Sequence, residues 1–191
     1  MPYICVFCGS QTGNNGLYRQ AAIDLGHLLV RHGYGLVYGG GHVGLMGVIA
    51  DAVLSSGGEV IGVIPESLRA RELAHTGVTH LYVVPGMHER KARMAELAEA
   101  FIALPGGYGT FDELFEVITW AQLGLHRKPI GLLNVAGYFA ALKGLVDRAI
   151  TEGFIRPEHG RLLTIADDPA ALLEALGLSP GQAARAGRGH F

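Results

Sequence analysis

Residues 101–125 read FIALPGGYGTFDELFEVITWAQLGL, a short apolar run, a glycine-rich turn and a longer amphipathic run in direct succession. The apolar run Phe101 to Leu104 predicts a strand that is buried on both faces. The turn Pro105 to Thr110 leads into a helix that we predict over Phe111 to Leu125. A strand that passes through a tight turn into a helix is half of a βαβ unit, the unit from which parallel sheets are built.

The same alternation repeats along the chain. Short apolar or β-branched runs predict further strands, and longer amphipathic runs separate them; the strands are Tyr3 to Cys8, Gly35 to Tyr38, Val60 to Ile64, Leu81 to Val84, Ile130 to Leu133 and Leu163 to Ile165. Strands that are apolar on both faces need helices on both sides. The sequence therefore predicts an α/β fold: a doubly wound, Rossmann-like parallel sheet with helices on both faces.

Length, charge and hydropathy limit the possible classes of protein. With 191 residues the chain has the size of one domain, predicted over 1–176, and residues 177–191 lack periodicity and predict a mobile tail. A net charge of -2 argues against a nucleic-acid or anionic-membrane partner. Because no apolar run approaches the roughly 18 residues that span a bilayer, and the first residues lack a leader pattern, we expect a cytoplasmic protein.

The cysteines and histidines do not predict a metal or redox centre. Cys5 and Cys8 form a CxxC, but they lie in an apolar run that predicts a strand, whereas a redox pair gains its low thiol pKa at a helix start. Two buried, inert thiols are therefore the favoured interpretation. The nine histidines are scattered without zinc-site spacing. We predict neither a metal nor another cofactor.

Small-residue turns follow three of the predicted strands, at Cys8–Ser10, Gly39–Gly47 and Pro105–Thr110. In doubly wound sheets ligands bind beyond the carboxyl ends of the strands. Gly39–Gly44, GGGHVG, matches the GxGxxG pattern of dinucleotide-binding proteins, but it follows the second strand and only Glu66 could serve as the required acidic partner. A backbone lining for a ligand, an NAD site and a merely tight turn all remain open.

The turn Pro105–Thr110 predicts a phosphate site. Glycines let backbone N–H groups converge on an anion, and the start of the following helix adds its dipole. The GK[ST] ending of a P-loop is absent, so the turn does not indicate triphosphate hydrolysis.

Two charged residues near this turn have a structural and a functional interpretation each. Thr110 to Glu113 spells a T-x-x-E capping box, in which Glu113 would only satisfy a backbone N–H, and Asp112 would face solvent as a dipole partner. Arg90 falls on the apolar stripe of a helix predicted over Met87 to Ala98, so it should meet a carboxylate or a phosphate. The alternative is that its stem reaches water from the edge of the stripe.

Residues 87–94, MHERKARM, and 105–113, PGGYGTFDE, closely resemble the two signatures of the Lonely Guy (LOG) family of cytokinin riboside 5′-monophosphate phosphoribohydrolases. The resemblance extends from Cys8 through Gly41 to about Ile165. Proteins with PGGxGTxxE are often called lysine decarboxylases, but nothing in this sequence indicates a pyridoxal phosphate site.

The resemblance implies hydrolysis of the N-glycosidic bond of AMP or N6-prenylated AMP, a homodimer, and Arg90 and Glu113 as the catalytic pair. It places nucleotide contacts on Glu72, Lys91, the turn Gly107 to Thr110, and Thr119. Together with the three turns, the predicted substrate-binding set is Gly9, Ser10, Gly40, Gly41, Glu72, Met87, Lys91, Gly106, Gly107, Tyr108, Gly109, Thr110 and Thr119.

Physical chemistry assigns roles to the pair. Cleavage of a ribosyl C–N bond builds positive charge at C1′, which a carboxylate can stabilise, so this role suits Glu113. A guanidinium is not deprotonated in proteins, so Arg90 is better suited to holding a phosphate or a carboxylate. The competing functions are a non-catalytic nucleotide-binding module, which would release no adenine from AMP, and an NAD-dependent oxidoreductase, which would use Gly39 to Gly44.

Overall fold

The computed structural model describes residues 1–69, 74–178 and 180. Its described part contains seven strands, six α-helices and three short 3₁₀ helices. The strands are β1 (Tyr3–Phe7), β2 (Gly35–Tyr38), β3 (Val60–Pro65), β4 (His80–Val84), β5 (Ala98–Ala103), β6 (Ile130–Leu133) and β7 (Leu163–Ala166). The helices are α1 (Gly16–Arg31), α2 (Gly44–Ser55), α3 (Met87–Leu97), α4 (Tyr108–Gln122), α5 (Ala140–Thr151) and α6 (Pro169–Ala175), and the 3₁₀ helices are Glu66–Leu68, Val135–Gly137 and Pro157–Leu162.

All seven strands belong to one sheet with the order β4-β3-β2-β1-β5-β6-β7. Every neighbouring pair is parallel, and β1 pairs with β2 on one side and with β5 on the other. The order therefore reverses between β1 and β5, and a crevice opens at such a switch point beyond the carboxyl ends of the strands. The predicted doubly wound α/β fold is confirmed.

Two apolar layers cover the faces of the sheet. On one face Leu25 of α1, Ile49 of α2 and Leu172 of α6 pack against alternate residues of the central strands. On the other face Met94 of α3 and Leu114 of α4 pack against the residues between them. Burial on both faces explains why the central strands read as continuous apolar runs.

The observed elements differ from the prediction in several places, two of which concern the strands β5 and β4. β5 begins at Ala98, three residues before the predicted Phe101, because α3 ends at Leu97 and passes into the strand without a loop. β4 is an edge strand, and its Tyr82 and Val83 side chains are exposed, so the expectation of burial on both faces is wrong for this strand.

The chain remains packed against the core slightly beyond residue 176, where the domain was predicted to end. Leu178 is buried in the core, and its carbonyl lies 2.8 Å from Nδ1 of His32, so the packed chain continues two residues beyond the predicted boundary at 176. Residues 179 and 181–191 lie outside the described residues, and the mobility of the tail stays a prediction. Among the residues that the structure describes, no helix is both long and apolar enough to cross a membrane.

Candidate functional site

The three small-residue turns meet at the switch point of the sheet. The N–H of Gly9, after β1, donates to the carbonyl of Pro105, after β5, at 3.1 Å. The carbonyl of Gly9 accepts from the N–H of Leu45, in the first turn of α2, at 3.0 Å. Gly9 is therefore hydrogen-bonded to both of the other turns, and the three form one wall.

A cavity of about 150 Å³ opens above this wall, and its lining combines backbone with two charged side chains. The lining residues are Val6, Cys8, Gly9, Ser10, Gly39, Met46, Arg90, Gly107, Tyr108, Gly109, Thr110 and Glu113. A second cavity of about 250 Å³ shares Gly9, Ser10 and Gly107 with the first and adds Gly106, Tyr18 and Tyr138. With this neighbour the space exceeds the volume of about 300 Å³ that is a usual minimum for a small-molecule site.

Arg90 reaches the cavity from α3 and is buried, with 5% of its surface exposed. One guanidinium nitrogen, Nη2, donates to the carbonyl of Gly39 at 3.1 Å, and Nη1 lies 3.8 Å from the sulfur of Met87. A Cβ atom on Gly39 would lie 1.9 Å from Nη2, so this position admits only glycine while Arg90 keeps its place. The predicted inward face of Arg90 is confirmed, and the alternative of a stem that reaches water is wrong.

Glu113 lies on α4 and is also buried, with 8% of its surface exposed. The helix begins at Tyr108 with Gly107 as its N-cap, three residues before the predicted Phe111. Thr110 is therefore inside the first turn and cannot cap the helix, so the capping-box interpretation of Thr110 and Glu113 is wrong. The physical reason is that the extended backbone of Gly107 already occupies the cap position, without any side-chain bond.

The glycine turn presents the start of α4 to the cavity. The first N–H groups of a helix have no acceptor within the helix, and residues 108–110, the first three of α4, line the cavity. Thr110 is buried, and a Cβ atom on Gly106 would lie 2.0 Å from its hydroxyl oxygen. By contrast, apart from the adjacent residues and the backbone of α4 itself, no atom of the described chain lies within 4 Å of a Cβ built on Gly107 or Gly109.

Lys91 follows Arg90 but points elsewhere. Its ammonium lies 3.2 Å from a carboxylate oxygen of Asp112 and 3.1 Å from one of Glu116, both on α4. Burial acts to lower the pKa of Lys91, but the hydrogen bonds to Glu116 and Asp112 outweigh it, and the pKa lies above its ordinary value. Asp112 faces solvent as predicted, with 59% of its side chain exposed, but it is not only a dipole partner, because it also joins α4 to α3 through this ion pair.

The structure places some predicted residues away from the cavity. Five predicted residues are not among the described residues that line the cavity: Gly40, Gly41, Met87, Lys91 and Thr119. The hydroxyl of Thr119 instead donates to the carbonyl of Phe115, one turn earlier on α4, at 2.7 Å. Glu72 lies outside the described residues.

Four residues of the lining were not predicted: Val6, Cys8, Gly39 and Met46. Gly39 stands in the same glycine run as two predicted residues, and Met46 is in the first turn of the helix after it, so the position of that turn could have suggested both. Tyr138, whose hydroxyl donates to the carbonyl of Gly106, follows a different strand, and no sequence pattern indicates it.

Two predicted alternatives lose support. Burial raises the pKa of the Cys5 and Cys8 thiols, and the nearby Glu113 carboxylate raises it further, so both remain protonated and unreactive at neutral pH. The interpretation as two buried thiols is confirmed. Glu66, the candidate acidic partner for NAD, is exposed and pairs with Arg69 at 3.6 Å.

Comparisons with solved structures support the fold. The chain is similar to a molybdenum cofactor carrier protein from Chlamydomonas reinhardtii, with a TM-score of 0.71 and 22% identity over 97% of this chain and 98% of that one. It is also similar to the molybdenum cofactor binding protein of Rippkaea orientalis, with a TM-score of 0.69 and 21% identity over 93% and 96% of the two chains. At these identities the similarity shows the fold alone.

Sequence comparisons go further. Residues 46–176 match the family model described as possible lysine decarboxylase. The chain is 53% identical over 173 residues to the probable cytokinin riboside 5′-monophosphate phosphoribohydrolase LOGL2 of Oryza sativa subsp. japonica, covering 91% of this chain and 71% of that protein. It is 53% identical to the cytokinin riboside 5′-monophosphate phosphoribohydrolase LOG1 of Arabidopsis thaliana, covering 91% and 81%. The chain therefore belongs to the Lonely Guy family of cytokinin riboside 5′-monophosphate phosphoribohydrolases.

Proposed function

We propose that this protein hydrolyses the N-glycosidic bond of adenosine 5′-monophosphate, plain or prenylated on N6, and releases the free base and ribose 5-phosphate. One observation carries the proposal: a buried carboxylate, Glu113, and a buried guanidinium, Arg90, line one cavity beside the open start of a helix. The activity for which the plant relatives are named agrees with it.

The start of α4 is the proposed anchor for the 5′-phosphate. Residues 108–110, whose N–H groups have no acceptor within the helix, line the cavity, and the helix dipole favours an anion there. The glycines at 107 and 109 leave room for the phosphate oxygens, because no other described atom approaches their Cβ positions. Ser10, from the turn after β1, adds a hydroxyl to the same cavity.

Arg90 supplies a positive charge to the lining of the same cavity. Its bond to the carbonyl of Gly39 fixes the plane of the guanidinium, so that its other nitrogens can meet a carboxylate or a phosphate without reorganisation. Because an arginine does not lose its proton at physiological pH, Arg90 has an electrostatic and orienting role and does not act as an acid.

Glu113 is the proposed catalytic carboxylate. As the C1′–N9 bond breaks, its electron pair leaves with the base, and the ribose gains positive charge at C1′. A buried carboxylate beside C1′ stabilises that charge and orients the attacking water, whose hydroxyl bonds to C1′ while its proton goes to solvent or to the base. The leaving base takes up a proton from water.

The predicted contacts through Gly9, Ser10, Gly106 and residues 107–110 belong to this proposal. The contacts predicted for Glu72, Met87, Lys91 and Thr119 rest on the resemblance, and those predicted for Gly40 and Gly41 rest on the position of their turn beyond β2. A homodimer also remains a proposal; apolar side chains that the described chain leaves exposed on α4 and α5, among them Phe115 and Leu145, support it. The cytoplasmic location and the lack of a nucleic-acid partner stay predictions.

The first experiment compares substrates. Purified protein is incubated with AMP, isopentenyladenosine monophosphate and the matching riboside without phosphate, and the free base is measured by chromatography. We expect base release from the two monophosphates only. Equal cleavage of the riboside would contradict the phosphate anchor, and binding of AMP without release of adenine would favour the non-catalytic nucleotide-binding module.

The second experiment tests Glu113. Glu113→Gln removes the charge and keeps the shape, so we expect turnover of AMP to fall about 10³-fold or more while the dissociation constant for AMP changes little. Glu96→Gln is the matched control, because Glu96 is paired with Arg93 on the surface at 2.7 Å and should leave turnover unchanged. Near-normal hydrolysis by Glu113→Gln would remove this residue from the chemistry.

A further inference from the structure

His75 is a buried side chain outside the cavity that the proposed chemistry does not use. Only 5% of its surface is exposed, and both of its ring nitrogens have partners. Nδ1 accepts from the N–H of Gly77 at 3.1 Å, and Nε2 lies 2.9 Å from a carboxylate oxygen of Asp51 on α2. Because Nδ1 accepts, the proton of the neutral ring is on Nε2, and this proton is donated to Asp51.

Asp51 also faces the turn after β2. Its second carboxylate oxygen lies 3.5 Å from Nε2 of His42, and the rings of His42 and His75 are 4.2 Å apart. The carboxylate thus joins a residue of the glycine turn, His42, to a residue from the chain after β3, His75. We call His42, Asp51 and His75 the aspartate clasp.

The backbone beside the clasp holds the same turn. The N–H of His75 donates to the carbonyl of Gly40 at 2.9 Å, and Ala74 forms an antiparallel bridge with Gly41. Gly40 has a φ of +76°, so the direction of its carbonyl is set by a backbone conformation that other residues rarely adopt. His75 is therefore bonded to the turn by its backbone and to α2 by its side chain.

The turn Gly39–Gly41, which the aspartate clasp contacts, also accepts a hydrogen bond from Arg90. The carbonyl of Gly39, next to Gly40, accepts the 3.1 Å bond from Nη2 of Arg90. A shift of the turn moves that carbonyl, and misplacement by about 1 Å of a group that orients substrate can cost about 10²-fold in rate.

The clasp has the composition of a metal site, since its three donor atoms lie within 4.8 Å of one another. The hydrogen bonds favour a different role. A metal ion at Nε2 of His75 would displace the proton that now bonds Asp51, and the ring would have to carry its proton on Nδ1 and lose the bond from Gly77. The observed arrangement satisfies both nitrogens without an ion.

We propose that Asp51 is a positioning residue: through His75 it fixes the turn Gly39–Gly41 and thereby the guanidinium of Arg90. Asp51 itself is absent from the cavity lining among the described residues. The proposal rests on the proposed function only for its activity readout; the geometry that it describes is independent of the substrate.

The test compares three variants in AMP hydrolysis. Asp51→Ala removes the acceptor, and we expect kcat/KM to fall about tenfold. Asp51→Asn keeps an oxygen that accepts from Nε2 of His75 and offers an N–H to His42, so it should remain within about twofold of the wild type. The control is Asp24→Ala on α1, where the carboxylate accepts a surface bond from Gln20 at 2.9 Å; it should match the wild type.

Thermal unfolding and AMP binding separate positioning from loss of fold. We expect Asp51→Ala to remain folded at the assay temperature and to bind AMP more weakly than Asp24→Ala does. Equal activity and binding of these two variants would overturn the proposal, as would an Asp51→Asn variant as impaired as Asp51→Ala.

A measurement on the unmodified protein keeps the proposal testable if Asp51→Ala does not fold. Long-range ¹H–¹⁵N spectra report the tautomer of each histidine, and we expect His75 to carry its proton on Nε2. A proton on Nδ1 of His75 would exclude the hydrogen bond from Nε2 to Asp51 and would overturn the proposal. If the wild type releases no base from AMP, the proposed function fails, while the tautomer and the AMP dissociation constants still decide on the clasp.

Discussion

The turn after β2 and the turn after β5 are both made largely of glycine, but the space around their glycines differs. In the first turn, a Cβ atom on Gly39 would lie 1.9 Å from Arg90, and one on Gly44 would lie 2.2 Å from the backbone of Ser10. Gly44 also has a φ of +60°. These glycines are required by the protein itself, because other parts of the chain fill the space that a side chain would need.

In the turn after β5 only Gly106 is enclosed in this way, by Thr110 and by the backbone of Gly9. Gly107 and Gly109 face space that no described atom fills within 4 Å, apart from their chain neighbours and the backbone of α4 itself, and neither has a positive φ. The fold alone does not require glycine at these two positions. A glycine-rich turn in a sequence therefore predicts close approach, but not whether the approaching group is the protein or a ligand.

The largest expected effect is a loss of stability from a substitution in the turn after β2. Gly44→Ala forces a methyl group into the backbone of Ser10 and a non-glycine residue into a left-handed conformation. We expect the free energy of unfolding to fall by roughly 3 kcal/mol or more, measured by urea denaturation. If Gly44→Ala is as stable as the wild type, the turn after β2 can relax, and the conclusion that the protein itself requires its glycines is wrong.

Arg90→Lys tests the role of the guanidinium that bonds to the carbonyl of Gly39 in the turn after β2. A lysine carries the charge but cannot bond Gly39 and a ligand with one planar fork, so we expect kcat/KM for AMP to fall about 10²-fold. The fold should survive, because the stem of the side chain still fills its place. Circular dichroism provides the control, and activity within threefold of the wild type would contradict the role of the guanidinium plane.

Gly109→Ala sharpens the comparison from the second turn. Gly109 is in the first turn of α4, and alanine there should raise the free energy of unfolding by up to about 0.5–1 kcal/mol. The same methyl group would enter the space that we assign to the phosphate, so we expect kcat/KM for AMP to fall about tenfold. Greater stability with unchanged activity would show that the phosphate does not approach this position.

The smallest effect concerns the support of the second turn. Tyr138→Phe removes the hydroxyl that donates to the carbonyl of Gly106 and keeps the ring against Tyr18 and Phe139. The net loss of one hydrogen bond is about 1 kcal/mol, and we expect a change of at most about fivefold in kcat/KM. A loss as large as that of Gly109→Ala would mean that the turn depends on Tyr138 for its shape.

The sequence predicted those features that depend on local pattern. The alternation of apolar runs predicted a doubly wound parallel sheet, and the spacing of Arg90 from Met87 and Met94 placed the arginine on the buried face. The start of α4 was predicted one turn too late, because Thr110 matches a side-chain cap while the actual cap, Gly107, acts through its backbone alone. Backbone caps leave no distinct sequence pattern.

Other features could not be predicted because they join distant parts of the chain. The contact of Tyr138 with Gly106 and that of His75 with Asp51 depend on which loops the sheet order brings together. A lone histidine or tyrosine in a loop is common in any sequence. Only the strand order, which places β6 beside β5 and β3 beside β2, gives these residues their neighbours.

The two bonds of Gly9 have a consequence for how a ligand enters. The N–H of Gly9 is hydrogen-bonded to Pro105, and its carbonyl is hydrogen-bonded to Leu45. The wall that the three turns form is the floor of the cavity, and the turns cannot separate there without breaking a backbone hydrogen bond. A nucleotide must then arrive from the outer rim, where Tyr108 is almost fully exposed. Entry and exit would be controlled at this rim, and the floor would stay rigid through the catalytic cycle.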